Sequence, residues 1–457
     1  MMLILEPEKR KVHFMMEKLK NRIKFDPYFI TDIYVYVILG LLPLWFTSGG
    51  YTNITKSKFV FVSVTTIIWA AFVIVSAVVK RCRIKMTIDK WLMIAFVICA
   101  GISSAVSPFQ NHVWMGSGRY NGFVTVLMYG VIYIGMSCFA RPRKSYFAVL
   151  IVSLCICSVV AIFQLMGKNP LGLFPGDWNY YDKGILYSGE FLGNIGNVDL
   201  FGAFLCLALP IAAGISLFSE KVRWIWLLIP IAICFFVGIY MDVKAAEVGL
   251  FFSFILLVYA VFKNKKRLNG RRTAIIVIVI ILAVGSSQII SFRDYADSDF
   301  SVAQTEEDNI LGNVISGNIT DEMGSSRIGI WRQLIGTYTE YPIIGSGPGT
   351  IIDRAYIKFS RYVEETDKTL TTVVDDAHNE FLDKLMCEGA LGLAIYIALI
   401  AVTCVKVIKR RETERSILLI GMAGYWAQSF FGLSLVLVLP VVYIIWALTN
   451  SNGKIEE

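Results

Sequence analysis

Runs of about twenty apolar residues recur along most of this chain, and they constrain its fold more than any other feature. An α-helix of that length crosses the hydrocarbon core of a bilayer, which is about 30 Å thick. Hydrophobic residues make up 56% of the 457 residues and charged residues 17%, whereas soluble domains are about 25% charged. We therefore predict an all-α membrane protein with twelve transmembrane helices. The predicted helices lie near residues 29–46, 59–79, 91–106, 122–140, 146–166, 198–218, 224–240, 246–262, 273–292, 383–405, 416–432 and 434–449.

The last two of these runs meet at Gly432-Leu433-Ser434, with only Leu433 between them. Two interpretations are open for them. They form either a tight hairpin of two helices or one broken element, because non-helical backbone is tolerated at membrane depth where protein surrounds it.

Basic residues in the short loops predict the orientation. With a cytoplasmic N-terminus, the inner loops hold 20 Lys or Arg and the short outer loops hold 6, which is the asymmetry expected when basic loops stay in the cytoplasm. We predict a cytoplasmic basic arm over 1–27, helices one to nine over 28–292, a large extracytoplasmic loop over 293–379, helices ten to twelve over 380–449, and a cytoplasmic tail over 450–457.

The large loop is polar and acidic, with 15 Asp or Glu against 7 Lys or Arg over residues 293–379. Apolar residues recur at three- and four-residue spacing from Ser326 to Tyr341, which predicts an amphipathic helix inside the loop. Ser325 or Ser326 is a plausible N-cap, and Pro342 with the glycines after it predicts a turn at the end of the helix.

Four ionisable residues, Arg119, Lys244, Arg327 and His378, fall on the predicted outer side near helix ends. Such residues are costly at membrane depth and usually have a partner or a function. Guanidinium groups suit phosphate, and a neutral histidine can take a proton from a hydroxyl. Together they fit a phosphate- or pyrophosphate-linked lipid headgroup. Ordinary alternatives stay open: a solvated turn for Arg119 and Lys244, a salt bridge for Arg327, and a hydrogen-bonded structural histidine for His378.

Other site classes find little support. The cysteines show no C-x-x-C spacing, and no second histidine stands three or four residues from His378, so we predict no metal and no cofactor. No basic patch lies on a polar domain, so we predict no nucleic-acid partner.

These motifs resemble the O-antigen ligase and Wzy-type polymerase superfamily of bacterial membrane proteins, most strongly over residues 326–393. The resemblance rests on Arg327 with Ile330-Trp331, Pro342 with Gly345-x-Gly347-Pro348-Gly349, His378-Asn379-Glu380-Phe381-Leu382, Glu388-Gly389-x-x-Gly392-Leu393, and more weakly Gly118-Arg119-Tyr120-Asn121-Gly122 and Gly196-Asn197-Val198-Asp199.

The resemblance implies a C-type, metal-independent glycosyltransferase fold in the bacterial cytoplasmic membrane. Such an enzyme moves a glycan from undecaprenyl pyrophosphate to a hydroxyl of a glycan, lipid or protein outside that membrane. His378 matches the family's candidate base and Arg327 its loop arginine. Lys244 stands where the family usually has arginine, which keeps the charge but loses the planar fork. Arg119, Arg332 and Asn379 are further expected substrate-binding residues.

The sequence leaves several alternatives open. Polymerase and ligase chemistry would use the same site, so the acceptor is undetermined. A twelve-helix transporter of polysaccharide or lipid-linked glycan is the main competing hypothesis, although the chain shows no two-half symmetry of the kind common in transporters. A non-catalytic scaffold is a third. Partners expected in every case are the lipid bilayer and other envelope-polysaccharide assembly proteins.

Overall fold

The computed structural model describes residues 26–182, 187, 189–218, 225–241, 243–263, 270, 327–363 and 368–451. Over these residues the chain is mainly helical. The helices are α1 (Pro27–Gly40), α2 (Ile54–Val79), α3 (Ile88–Val106), α4 (Phe123–Phe139), α5 (Lys144–Leu165), α6 (Val198–Phe218), α7 (Ile225–Tyr240), α8 (Lys244–Lys263), α9 (Arg327–Gly336), α10 (Ile351–Ala355), α11 (Glu380–Cys387), α12 (Gly389–Arg410), α13 (Thr413–Ser429) and α14 (Leu439–Asn450).

Every predicted apolar run that falls on described residues contains an α-helix, while the run at 273–292 lies outside them. Six of the described helices are long and apolar enough to cross a membrane, and three shorter ones are apolar as well. The total of twelve spans and the cytoplasmic N-terminus stay predictions. The six candidate spans are α2 with its preceding 3-10 turn, α3, α5, α6, α8 and α12.

Helix α6 lies at the centre of the bundle. The most apolar 18-residue stretch of α6 is 94% buried, against 28% for the corresponding stretches of α8 and α12. Helix α13 packs against both α6 and α8, and glycines allow a close approach: a Cβ at Gly424 would lie 2.6 Å from the Cys206 carbonyl oxygen. Small residues at helix contacts are typical of membrane bundles. The N-terminal turn of α6, which carries Asp199, is thereby held at one end of the core.

The segment between α13 and α14 is longer than the sequence indicated. Residues 430–438 are non-helical, rather than only the three residues from Gly432 to Ser434. Most of this segment is nevertheless buried, including Leu433, Leu435 and Leu437. Irregular backbone inside a membrane protein is tolerated where protein or a cavity surrounds it.

Within the described parts of the chain, two short antiparallel strand pairs accompany the helices, and the sequence predicted neither. A two-residue pair joins β1 (Phe191–Leu192) to β2 (Gly196–Asn197) just before α6. In the large loop predicted to be extracytoplasmic, which we call the outer loop, β3 (Lys358–Val363) and β4 (Lys368–Val373) form an antiparallel pair. The described part of this loop therefore contains more than the predicted amphipathic helix.

That amphipathic helix is present as α9, and a 3-10 turn at Tyr338–Glu340 follows it. The α-helix itself ends at Gly336, earlier than the predicted end at Tyr341, and the 3-10 turn occupies most of the stretch up to Pro342. The N-cap positions proposed for α9 lie outside the described residues.

Candidate active site

A cavity of about 530 Å³ lies where the start of α6, the start of α9 and the segment 430–438 meet. Its wall combines charged, polar and apolar side chains, so it suits a ligand with a charged part and an apolar part. It is lined by Thr55, Arg119, Gly189, Glu190, Phe191, Asn197, Val198, Asp199, Leu200, Arg327, Ile330, His378, Leu433, Leu435 and Leu437.

Arg327 begins α9 and reaches the first turn of α6. Its Nη2 lies 3.3 Å from Oδ2 of Asp199, and both side chains are largely buried. Ile330 and Leu334 of α9 pack into a small core that the loop forms with α11, which fixes the helix so that its first residue lines the cavity. The guanidinium therefore already has a carboxylate partner.

Arg119 comes from the loop between α3 and α4. Its Nε donates to Oδ2 of Asp375 at 2.6 Å, across 256 residues of sequence. The loop turns at Gly116 and Gly118, whose φ angles of 84° and 113° favour glycine. At Gly122 a Cβ would lie 2.5 Å from the Trp114 carbonyl carbon, so only glycine allows the loop to close at this point. The glycines around Arg119 thus shape the loop that delivers it.

The glycines of the second motif lock the outer loop onto the bundle. A Cβ at Gly345 would lie 2.2 Å from the Cys387 carbonyl oxygen, and one at Gly389 would lie 2.3 Å from the Ile343 carbonyl oxygen. Both glycines have a φ of 73°. The two backbone segments therefore interlock directly beside α11, which begins two residues after His378.

His378 lines the cavity from the junction of the outer loop and α11. Its backbone is left-handed, with φ 48°, and its N–H donates to Oδ1 of Asp376 at 2.8 Å. Nδ1 has no accessible surface and no hydrogen-bond partner within the described residues, which leaves Nε2 as the ring nitrogen available to a ligand. Burial, and then the positive charges of Arg119 and Arg327, lower the pKa of His378 from 6.5 to about 3. The imidazole is therefore neutral at pH 7.

The lowered pKa of His378 predicts acid sensitivity of the fold. Between pH 6.5 and pH 3 the unfolded chain binds a proton at this residue and the folded protein does not, so stability is lost as the pH falls through that range. We expect the melting temperature of the detergent-solubilised protein to drop between about pH 7 and pH 5. The drop should be smaller in His378→Gln, and the two drops should differ by about a few degrees. Equal drops in the two proteins would contradict this pKa.

The three other residues predicted to bind substrate lie outside the cavity lining. Lys244 is exposed, with 62% of its side chain accessible, and pairs with Glu247 at 3.5 Å. Arg332 is exposed on α9. Asn379 is buried, and its Oδ1 caps α11 by accepting from the N–H groups of Phe381 and Leu382, each at 3.0 Å. Lys244 is thus absent from the lining of the cavity in which Arg119, Arg327 and His378 meet, and its part in substrate binding stays a prediction.

The sequence did not lead us to predict the acidic residues of the site as site residues. Asp199 and Asp375 neutralise the two arginines, and Glu190 lines the cavity. Asp376 is buried next to them; burial, followed by the negative charge of Asp383, raises its pKa. Asp199 ends a motif singled out from the sequence, and the Asp375-Asp376 pair directly precedes the motif that begins at His378, so proximity to those motifs was the available signal.

A comparison with family models supplies the observation that decides the family. Residues 229–397 match the model described as O-antigen ligase, Wzy_C. This stretch of the chain matches an O-antigen ligase domain. The superfamily recognised from the motifs is thus confirmed. The matched residues of this O-antigen ligase domain include Arg327 and His378, whereas Arg119 and Asp199 precede them. No curated protein matches the chain significantly.

The O-antigen ligase domain and the apolar helices together support a multi-pass bacterial membrane protein. The domain also supports an enzyme of the glycan-transferring type, acting as a surface-polysaccharide ligase or polymerase. This match favours the enzyme interpretation over the transporter alternative.

Proposed function

We propose that the protein transfers a glycan from a polyprenyl-diphosphate carrier, such as undecaprenyl pyrophosphate, to an acceptor hydroxyl outside the cytoplasmic membrane. The observation that carries the proposal is the convergence of Arg119, Arg327 and His378 on one cavity. These residues lie far apart in the chain and belong to three different motifs. Two cations beside a neutral imidazole provide both an anion site and a base.

The two arginines bind the diphosphate of the donor. Each exchanges part of its contact with Asp199 or Asp375 for phosphate oxygens, which accept bidentate hydrogen bonds from guanidinium groups. As the bond between the anomeric carbon and the diphosphate breaks, negative charge grows on the leaving group. Fixed cations that meet this charge lower the barrier, and this role requires no metal ion.

His378 activates the acceptor. Its neutral Nε2 takes the proton of the acceptor hydroxyl while the hydroxyl oxygen attacks the anomeric carbon. The polyprenyl diphosphate leaves with the electron pair of the broken bond. Bound diphosphate offsets the positive potential of Arg119 and Arg327, so the pKa of His378 rises in the complex and the imidazole becomes a better base where it is needed.

The apolar part of the cavity wall, Leu433, Leu435 and Leu437, accommodates the first isoprene units of the donor. Glu190, which also lines the cavity, offers a carboxylate to sugar hydroxyls. The cavity does not distinguish a polymerase from a ligase, because both reactions use the same groups. The acceptor class must therefore be identified by an assay of the reaction product.

Reconstituted protein supplied with a lipid-linked glycan tests the proposal. The expected result is release of polyprenyl diphosphate together with a glycan of increased length, for a polymerase, or a glycan joined to a second acceptor, for a ligase. Movement of the intact lipid-linked glycan across liposomes without bond cleavage would overturn the proposal in favour of the transporter.

Arg119 lines the cavity, whereas Lys244 is exposed outside the cavity lining. We expect Arg119→Ala to lower the rate of transfer by about 10²-fold, because it removes a cavity cation. Lys244→Ala is expected to stay within about twofold of wild type, as for most exposed substitutions. Initial rates at matched donor concentration check both variants. A larger loss in Lys244→Ala than in Arg119→Ala would contradict this assignment.

A further inference from the structure

Glu380 stands two residues after His378 and is 2% exposed. It is the first residue of α11, the helix that Asn379 caps. A carboxylate at a helix N-terminus interacts well with the helix dipole, but its burial is costly unless hydrogen bonds satisfy both oxygens. The side chain therefore depends on specific partners.

Two tyrosine hydroxyls are those partners, and they come from two different helices. Tyr396 of α12 donates to Oε1 at 2.7 Å, and Tyr425 of α13 donates to Oε2 at 2.8 Å. Both tyrosines are 1% exposed. Hydrogen bonds to an ionised acceptor are about twice as strong as neutral ones. One carboxylate thus fastens the start of α11 to α12 and α13.

The same contacts reach the cavity wall. The Tyr425 hydroxyl lies 3.3 Å from Oγ of Ser434, and since it donates its proton to Glu380, it accepts from Ser434. Ser434 lies between Leu433 and Leu435, which line the cavity. His378 and the apolar wall are therefore connected through one buried carboxylate.

We propose that Glu380 is a positioning residue that fixes His378 relative to the segment 430–438. It does not line the cavity, so it acts through its neighbours. The backbone of His378 is left-handed. On its N-terminal side the hydrogen bond to Asp376 holds it, and on its C-terminal side the anchored start of α11 holds it. Such a conformation persists only when its surroundings over-determine it. The catalytic consequence rests on the proposed function, whereas the effect on the placement of His378 does not.

Kinetics of four variants test the catalytic consequence. We expect Glu380→Ala to lower kcat by about 10- to 100-fold, since displacement of a base by about 1 Å has effects of that size, with the donor KM within about twofold. Glu380→Gln is expected to recover most of kcat, because an amide accepts from one tyrosine and donates to the other. Tyr425→Phe is expected to fall between them. Tyr34→Phe is the matched control, because it removes a buried tyrosine hydroxyl bonded to Thr66 at 2.6 Å outside the cavity.

Chemical modification tests the placement of His378 without any glycan. Diethyl pyrocarbonate acylates neutral imidazoles, and peptide mass spectrometry separates His378 from His112. We expect Glu380→Ala to raise the modification rate of His378 several-fold and to leave that of His112 unchanged. If Glu380→Ala does not yield folded protein, Tyr425→Phe is expected to show the same change to a smaller degree.

Two results would overturn the proposal. One is a wild-type modification rate and a wild-type kcat in Glu380→Ala and Tyr425→Phe. The other is an equal change in Tyr34→Phe, which would make the effect a general loss of packing. Absence of glycan transfer by the wild-type protein would instead count against the proposed function, while the modification rates would still decide the role of Glu380.

Discussion

Replacing His378 with alanine is expected to lower the rate of glycan transfer by about 10²- to 10⁴-fold, the usual contribution of a general base. Donor binding should stay within a few-fold of wild type, because both arginines remain. The neutral state of the imidazole, which follows from its burial and from the two nearby guanidinium groups, is the physical reason. Transfer rates at saturating donor, with donor binding measured separately, check the result.

His112 provides the matched control for this substitution. It is the other histidine of the described chain, and its Nδ1 lies 2.8 Å from Oδ2 of Asp353, away from the cavity lining. His112→Ala is expected to retain most of the activity. Transfer at wild-type rates in His378→Ala would remove the base assignment and would return His378 to a structural role.

Replacing Arg327 with alanine is expected to have the second large effect, a loss of about 10²- to 10³-fold in kcat, as when a single charge-stabilising donor is removed. Donor affinity should fall as well, since in the proposed mechanism the group contacts the diphosphate in both the ground state and the transition state. Arg327→Lys should recover only part of the loss, because an ammonium group lacks the planar fork. Steady-state kinetics over a range of donor concentrations separate the two effects.

Arg327→Ala also affects the partner of Arg327, the Asp199 carboxylate. Arg327→Ala leaves Asp199 buried without its cation, and an unpaired buried charge destabilises a protein. The double variant with Asp199→Asn removes this charge. We expect the double variant to regain the thermal stability of wild type but not its activity. Recovery of activity together with stability would show that Arg327 serves the fold rather than the reaction.

The helices were predictable because membrane burial imposes long apolar runs, and each described run contains a helix. Arg119, Arg327 and His378 were predictable as a group because the charge asymmetry placed them on one side. Their acidic partners were not, since nothing local to Arg327 indicates Asp199, which lies 128 residues away. Pairing across such distances is decided by packing.

The exposed position of Lys244 could not be predicted for a related reason. A charged residue in a very short turn between apolar runs has the same local pattern whether it faces a cavity or the surface. Its direction depends on the rotation of α8 against α6 and α13. Close helix contacts fix that rotation; at Gly249, for example, a Cβ would lie 2.7 Å from the Gly424 carbonyl oxygen. The stretch 430–438 is apolar and mostly buried, as the helices on either side are, so its composition alone could not show that it is non-helical.

The two ion pairs at the cavity have a consequence for ligand discrimination. Because Arg119 and Arg327 already have carboxylate partners, an incoming anion must compete with both. In the proposed mechanism, a small ion carrying one phosphoryl group competes with one carboxylate at a time and gains little by exchange. Two linked phosphoryl groups supply oxygens to both guanidinium groups, so the second contact forms without a further loss of translational freedom. The paired carboxylates should therefore act as a filter against free inorganic phosphate and in favour of the carrier-linked diphosphate.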